Sequence, residues 1–366
     1  MVGAAVTATS AGPLRIVVIS NALPPHVRGG AERHAADLAG WLASRHSVDV
    51  LAGYGPETVG DAPVHRLPAR PLLHPGTSRP AKALWHLREQ WLPSVHRAVR
   101  DRLRELRANV VHTHECQGLS AAVFTGIAAA GVPHVHTAHD YNLICTRVTL
   151  TKDGEFCGAR CATCAPQRLI RSRAIGRRLQ HLIAPSEYVR DAHIRAGVVP
   201  PERATTIRNG VRAPLHEGRH DSRADRPFTL GYLGALSEHK GVATLLRAFE
   251  RAPEGWRLIV AGEGELADEV AQRASEDPRV EFRGYVEGAA KDELFSAIDL
   301  LVVPSEWEDP SPTVAIEAAV RAVPCLVSDR GGLPETLAAF TFAARSDTAL
   351  LARLHELAES PQHLES

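Results

Sequence analysis

Short apolar runs of buried-strand type alternate along the chain with stretches of helical periodicity. Residues 15–20 (Arg-Ile-Val-Val-Ile-Ser) read as a strand buried on both faces. A glycine-bearing loop and a helix over 31–45 follow, then a strand at 48–51 and a long arginine-rich helix over 85–106. Strands at 110–113 and 134–137 flank a helix at 119–130, and strands at 182–186 and 205–208 complete the first half. Residues 211–227 are rich in Pro, Gly, His, Asp and Arg and read as a linker. The alternation then restarts, with strands at 228–233, 257–261, 280–283, 300–304, 324–327 and 340–343. Helices at 242–251, 291–298 and 313–321 lie between them. Strands alternating with helices predict parallel sheets covered on both faces, so the fold class is α/β, with two Rossmann-like doubly wound domains facing across a cleft. Residues 1–212 form the N-terminal domain, with 1–13 as a disordered leader, and 213–346 the C-terminal domain. Residues 347–366 form a C-terminal helix, its return toward the first domain left open.

Composition narrows the function classes. The 366 residues carry 42 basic and 42 acidic side chains, and this zero balance lacks the basic excess of a nucleic-acid binder. No apolar run reaches membrane-spanning length, and residues 1–13 lack the pattern of a signal peptide, so a cytoplasmic location is the expectation. Membrane contact is at most peripheral, through the arginine-rich segment 168–178, which reads equally as a solvated helix.

The chemistry-bearing segments sit where strands run into loops. Residues 304–317 pass from a strand through a polar, proline-rich loop into a helix that carries Glu317. A carboxylate there can accept hydrogen bonds from vicinal hydroxyls; a Ser311 N-cap with surface carboxylates is the plainer alternative. Lys240, next to Gly241 at a helix start, is one of only four lysines and is placed to meet negative charge. Gly29 and Gly30 allow close approach at the first helix. His139 and Asp140 follow a strand at its carboxyl end, and His114 is a second cleft candidate. His134 and His136 read as core or cleft histidines rather than metal ligands. Residues 262–267 fit Gly-x-Gly-x-x-Ala, but they follow the second strand of their domain and carry Glu263 and Glu265, which argues against a dinucleotide site. Cys145, Cys157, Cys161 and Cys164 have spacings that suit one structural zinc, with disulfides or unlinked thiols as alternatives. Cys116 and Cys325 read as buried thiols.

Taken in order, the motifs resemble the retaining GT-B enzymes of glycosyltransferase family 4. The resemblance rests on Gly29-Gly-Ala-Glu32, Val111-His-Thr-His114, His136-Thr-Ala-His-Asp140, Ala184-Pro-Ser-Glu-Tyr188 and Arg208-Asn-Gly-Val211. It continues through residues 231–241, Val260-Ala-Gly-Glu-Gly264, Phe282-Arg-Gly-Tyr-Val286, the carboxylates Asp309 and Glu317, and residues 328–335. It implies a metal-independent transfer of a sugar from a UDP, GDP or dTDP donor to a hydroxyl acceptor by a front-face mechanism, with no cofactor for catalysis. It implies catalytic roles for His139, Lys240, Asp309 and Glu317. Donor contacts would come from Gly29, Gly30, Gly234, Lys240, Gly284, Tyr285, Asp309, Ser311, Pro312, Thr313 and Glu317. The acceptor side would hold Glu32, His114, His139 and Asp140. Two positions depart from the pattern: Ala235 stands where the family has Arg, and Asp309 where it has Glu, with Glu308 as a neighbour one residue away. These departures motivate the alternative of a noncatalytic nucleotide-sugar-binding relative. A nicotinamide oxidoreductase is a third, weaker option.

Overall fold

A computed structural model describes residues 12–26, 29–70, 77–152, 155–158, 162–211, 226–336 and 339–359. Most of the expected linker and the first eleven residues lie outside this set. The chain divides into two compact units, one comprising residues up to 148 with 159–184 and 190–207, the other 149–158, 185–189 and 208 onward.

The first unit is built on β1 (Arg15–Ala22), α1 (Gly30–Ala43), β2 (Ser47–Tyr54), β3 (Thr58–Val59), β4 (Ala62–Arg66), α2 (Arg79–Glu89), α3 (Pro93–Glu105), β5 (Val110–Thr113), α4 (Ala122–Ala130) and β6 (His134–Thr137). A small hairpin, β7 (Thr151–Lys152) with β8 (Glu155–Phe156), groups with the second unit. Then come α5 (Ala165–Ile175), β9 (Leu179–Ala184), α6 (Glu187–Arg195) and β10 (Ala204–Thr206). The sheet runs β10-β9-β6-β5-β1-β2-β4-β3, parallel except for the β3–β4 edge. Alternation along β1 sends Ile16 and Val18 into a core with Ala36 and Ala39 of α1. Val17 and Ile19 are buried on the opposite face.

One expected element divides. The helix anticipated over 85–106 is two helices, α2 and α3, broken before Pro93. Proline has no N–H to donate and its ring clashes with the preceding turn, so it opens a helix rather than continuing one. The arginine-rich stretch is α5, and it is not simply a solvated face: Arg171 is buried, its Nη2 donating to both Glu89 carboxylate oxygens at 2.8 and 3.0 Å and its Nη1 to the Asn142 carbonyl at 2.9 Å.

The second unit contains β11 (Phe228–Leu233), α7 (Val242–Glu250), β12 (Trp256–Ala261), α8 (Ala267–Glu276), β13 (Val280–Phe282), α9 (Ala289–Ala297), β14 (Leu300–Val303), α10 (Thr313–Ala319), β15 (Cys325–Ser328), β16 (Ala339–Phe342) and α11 (Asp347–Glu359). Its six strands are all parallel, in the order β13-β12-β11-β14-β15-β16. Two cores flank the sheet, and the central strands feed both. Leu258, Val260, Leu300 and Val302 join Leu245 and Phe249 of α7. Ile259, Ala261, Leu301 and Val303 join Phe295 of α9 and Ala315 of α10. No helix of the described residues is long and apolar enough to cross a membrane.

The C-terminal helix α11 packs into this second unit. Leu350, Leu354 and Leu357 enter the α7 core, and Asp347 pairs with Arg251 at 3.3 Å. Leu354 is fully buried, so Leu354→Ala removes a packed side chain and leaves a cavity. Urea denaturation should show a loss of about 2–5 kcal/mol. A loss below about 1 kcal/mol would mean that α11 is not part of this core.

Candidate functional site

In an open parallel sheet, crossovers leave on opposite faces at one point in the strand order, and ligands bind outside the strands' carboxyl ends there. In the second unit that point lies between β11 and β14. The loop after β11 carries Lys240, and the loop after β14 carries Asp309. Lys240 Nζ donates to Asp309 Oδ2 at 2.7 Å, and Ser305 Oγ donates to the same oxygen at 3.2 Å. Asp309 is almost wholly buried, and a buried carboxylate requires such partners. The Lys240 ammonium also lies 5.0 Å from the centre of the Trp307 ring. Gly241, at φ 73°, turns the chain from this loop into α7; a Cβ there would stand 1.9 Å from the Pro304 carbonyl oxygen.

Eight residues on, α10 presents Glu317, half-buried, with Lys291 Nζ of α9 donating to its Oε1 at 2.9 Å. Each acidic residue of the pair is therefore held by a lysine. Glu308 is turned elsewhere. Its Oε2 accepts from the Gly331 N–H at 2.8 Å and its Oε1 is 3.5 Å from Arg330, so Asp309 is the carboxylate that meets Lys240. The 328–335 segment braces this loop, with the Gly332 N–H donating to the Asp309 carbonyl at 2.8 Å. Ser186 Oγ donates to the Pro310 carbonyl at 2.7 Å, and Glu335 accepts from the N–H groups of Glu187 and Tyr188 at 2.7 and 2.8 Å.

The first unit has its own switch point, between β1 and β5. His114 follows β5, His139 follows β6, and His34 stands on α1 after β1. His114 Nδ1 and His139 Nε2 are 3.0 Å apart, and the His34 ring lies 5.0 Å from that of His139. Burial pushes the imidazolium forms of His114 and His139 well below the ordinary histidine range, with neighbouring histidines adding to the effect. Burial likewise lowers His112 to about 4 and His134 to about 3. Glu115 and Asp140 face each other nearby; burial raises both carboxyls, and mutual repulsion raises Glu115 further. Glu32 accepts from the Gly29 N–H at 3.2 Å, closing the first turn of α1.

The sequence of this chain matches the profile described as Glycosyltransferase Family 4 over residues 28–213 and that of Glycosyl transferases group 1 over 227–360. The first of these covers more than half of the chain. The chain belongs to glycosyltransferase family 4. Alpha-maltose-1-phosphate synthase of Mycolicibacterium smegmatis is 27% identical over 352 residues, spanning 89% of this chain and 82% of that one. An uncharacterized 42.6 kDa protein in the cps region of Klebsiella pneumoniae is 25% identical over 255 residues. That match spans 70% of this chain but 66% of the relative's length. Anabaena HepE, solved in complex with UDP-glucose, superposes with a TM-score of 0.71 at 20% identity, covering 96% of this chain and 92% of that one. The two Rossmann-like units and these neighbours identify the GT-B fold class.

Within this family 4 fold, several expectations change. Ser311 does not cap α10: the N-cap residue is Pro312, followed by Thr313, and no side chain caps that end. The Gly-x-Gly decoy is explained by protein packing. At φ 147° and 155°, Gly262 and Gly264 lie against the β11 loop, where a Cβ would stand 1.8 Å from Gly234 O and 2.2 Å from Leu236 O. Gly284 accepts the Gly262 N–H at 2.7 Å, which sets Gly284 and the exposed Tyr285 beyond β13. Gly30 begins α1 directly. His134 and His136 both meet Thr113 Oγ1 at 2.7 Å, as satisfied core histidines. Cys145 and Cys164 are buried in the first unit, Cys157 groups with the second, and Cys161 lies outside the described residues. Cys116 and Cys325 are buried thiols. Reasoning from the sequence missed Lys291, Glu115 and His34. The scarcity of lysine was a signal for Lys291 as much as for Lys240.

The buried histidines set a pH dependence. His112, His114, His134, His136 and His139 all have folded-state values below the unfolded one of about 6.5. The unfolded chain then binds more protons, so their contribution to stability is present above that value and lost as pH falls through it. The raised Glu115 and Asp140 act in the opposite sense, but they are two groups against five. Urea denaturation from about pH 7 to about pH 5 should show stability falling on acidification, by about 1.4 kcal/mol per pH unit for each net proton. A flat or rising profile would mean that these imidazoles are not buried in neutral form.

Proposed function

We propose that this chain transfers a sugar from a nucleotide-diphosphate donor to a hydroxyl acceptor, retains the anomeric configuration and uses no metal in the chemical step. The observation that carries this reading is the Lys240–Asp309 pair, 2.7 Å apart at the switch point of the second sheet. Departure of a nucleoside diphosphate builds negative charge on phosphate oxygens, and a preorganised ammonium stabilises it. Lys240 supplies that cation, held by Asp309 and the Trp307 face until the donor arrives, with Ser305 donating to the same Asp309 oxygen. Glu317, which accepts a hydrogen bond from Lys291, also accepts hydrogen bonds from the donor ribose. The acceptor hydroxyl attacks from the face that the diphosphate leaves, and a departing phosphate oxygen takes its proton. His139 is assigned to the transferred sugar, and Glu32, His114 and Asp140 to the acceptor side. The complex of Anabaena HepE with UDP-glucose makes UDP-sugars the first donors to test, ahead of GDP and dTDP forms.

Ala235 and Asp309, where other members have Arg and Glu, favour a second reading, a noncatalytic nucleotide-sugar binder. Turnover of any donor, slow hydrolysis included, excludes it. The spacing of Cys145, Cys157, Cys161 and Cys164 carries a separate proposal of one structural zinc, read by metal analysis of protein purified without chelator.

Two variants test the donor site. Glu317→Gln keeps the shape and removes the charge, so donor affinity measured by calorimetry should fall by about 1.5–3 kcal/mol with the fold intact. Lys240→Ala should lower turnover about 100-fold or more. Unchanged donor affinity in the first variant, or unchanged turnover in the second, would remove that residue from the site.

A further inference from the structure

In the first unit, α5 carries its polar face inward and its apolar face outward. Gln167, Arg171 and Ile175, at i, i+4 and i+8, are buried. Pro166, Leu169, Ile170 and Arg173, at i, i+3, i+4 and i+7, are exposed, Leu169 by 49% and Ile170 by 39%. A surface helix ordinarily does the reverse. Hydrogen bonding fixes the inversion. Arg171 directs its guanidinium to Glu89 of α2 and to the Asn142 carbonyl, to which Gln167 Nε2 also donates at 3.4 Å. Rolling α5 to bury Leu169 and Ile170 would take Arg171 from Glu89 and leave a carboxylate buried and unpaired.

The same ion pair ties α5 to the end of α2, whose exposed side has a similar make-up. Leu84 and Arg88, one helical turn apart, are exposed, and so is Trp91 just past the helix end. Charge is segregated in both segments. Residues 158–186 hold six arginines and no acid. Residues 62–100 hold six arginines, one lysine and a single acid, Glu89, which is buried against Arg171. In a chain with equal numbers of basic and acidic side chains, these two segments are cationic throughout. The exposed Arg88, Arg173 and Arg178 therefore share their segments with four exposed apolar side chains and with no exposed acid.

Aliphatic side chains interleaved with arginine suit the boundary between lipid headgroups and acyl chains, where apolar groups enter and guanidinium groups stay at the level of the phosphates. An indole such as that of Trp91 suits the same depth. A nucleic acid would be met by polar and stacking groups rather than by Leu84, Leu169 and Ile170. A second copy of the chain would bring the same cationic face and be repelled. We propose that the exposed faces of α2 and α5 dock on an anionic phospholipid surface, with Leu84, Trp91, Leu169 and Ile170 entering the interface and Arg88, Arg173 and Arg178 pairing with headgroup phosphates. The docking is independent of the transferase reading: it stands or falls on vesicle binding, not on turnover.

The test is co-sedimentation of the full chain with vesicles of phosphatidylcholine alone and of phosphatidylcholine mixed with phosphatidylglycerol. The chain should bind the mixed vesicles at low salt, release them as salt rises, and bind the neutral vesicles far more weakly. Leu169→Ser combined with Ile170→Ser should lower the partition coefficient by about tenfold or more, and Arg88→Glu combined with Arg173→Glu by at least as much. All four side chains are exposed, so circular dichroism of both variants should match that of the parent. Val320→Ser, which removes an exposed apolar side chain from the second unit, should bind as the parent does. Failure to bind anionic vesicles at low salt overturns the proposal, as does binding that survives both double substitutions or that Val320→Ser weakens equally. A dimer in solution that the Leu169→Ser, Ile170→Ser variant dissolves, without vesicle binding by the parent, would assign the face to a second copy of the chain and overturn it as well.

Discussion

Both sheets are covered on two faces, and that constraint places everything else. A strand such as β12 sends Leu258 and Val260 to one core and Ile259 and Ala261 to the other, so it has no solvent face on which to build a site. Helices must cross on both sides, and their paths diverge between β1 and β5 and again between β11 and β14. Only the loops at the strand ends are free to carry polar chemistry. Lys240 and Asp309 come from such loops in the second unit, with Glu317 on the helix that follows, and His114 and His139 follow strand ends in the first, with His34 on the helix after β1.

The same architecture gives the two units opposite electrostatics. In the second, the two acids of the 309–317 segment each meet a lysine: Asp309 with Lys240 and Glu317 with Lys291. In the first, imidazoles crowd one another, and burial together with mutual repulsion holds them neutral. A charged, paired site suits an anionic ligand that displaces one ion-pair partner. The distinction follows from residue type and burial.

Much of the fold was legible in the alternation of apolar runs and helical segments, because a strand buried on both faces leaves a near-continuous apolar signature. The acid–lysine chemistry was legible only in part. Lys240 and Asp309 stood out through the ordered motifs, whereas Lys291 sits on the surface-periodic helix α9 and gains its meaning from Glu317, 26 residues away. His34 was hidden for the same reason, since contacts across a sheet's switch point have no local spacing. The split of α2 from α3 had a local cause in Pro93, and it was missed because the apolar periodicity on either side is continuous enough to mask one proline.

The two departures from the family pattern explain each other. With Ala235 in place of an arginine, the loop after β11 offers Lys240 as its cation, and the Tyr232 hydroxyl uses the Ala235 carbonyl at 2.7 Å to fix the loop's path. On the proposed reading, a single ammonium serves both the buried Asp309 and an incoming anion. Aspartate, one methylene shorter than glutamate, sits back in its pocket, where Ser305 shares the load on the same oxygen. If Lys240 turned toward a phosphate as proposed, Asp309 would keep the Ser305 hydrogen bond instead of becoming a buried, unpartnered charge, a state that costs about 3–5 kcal/mol by analogy with broken buried pairs. On the proposed donor reading, the shorter acid lowers the cost of releasing Lys240 to a diphosphate.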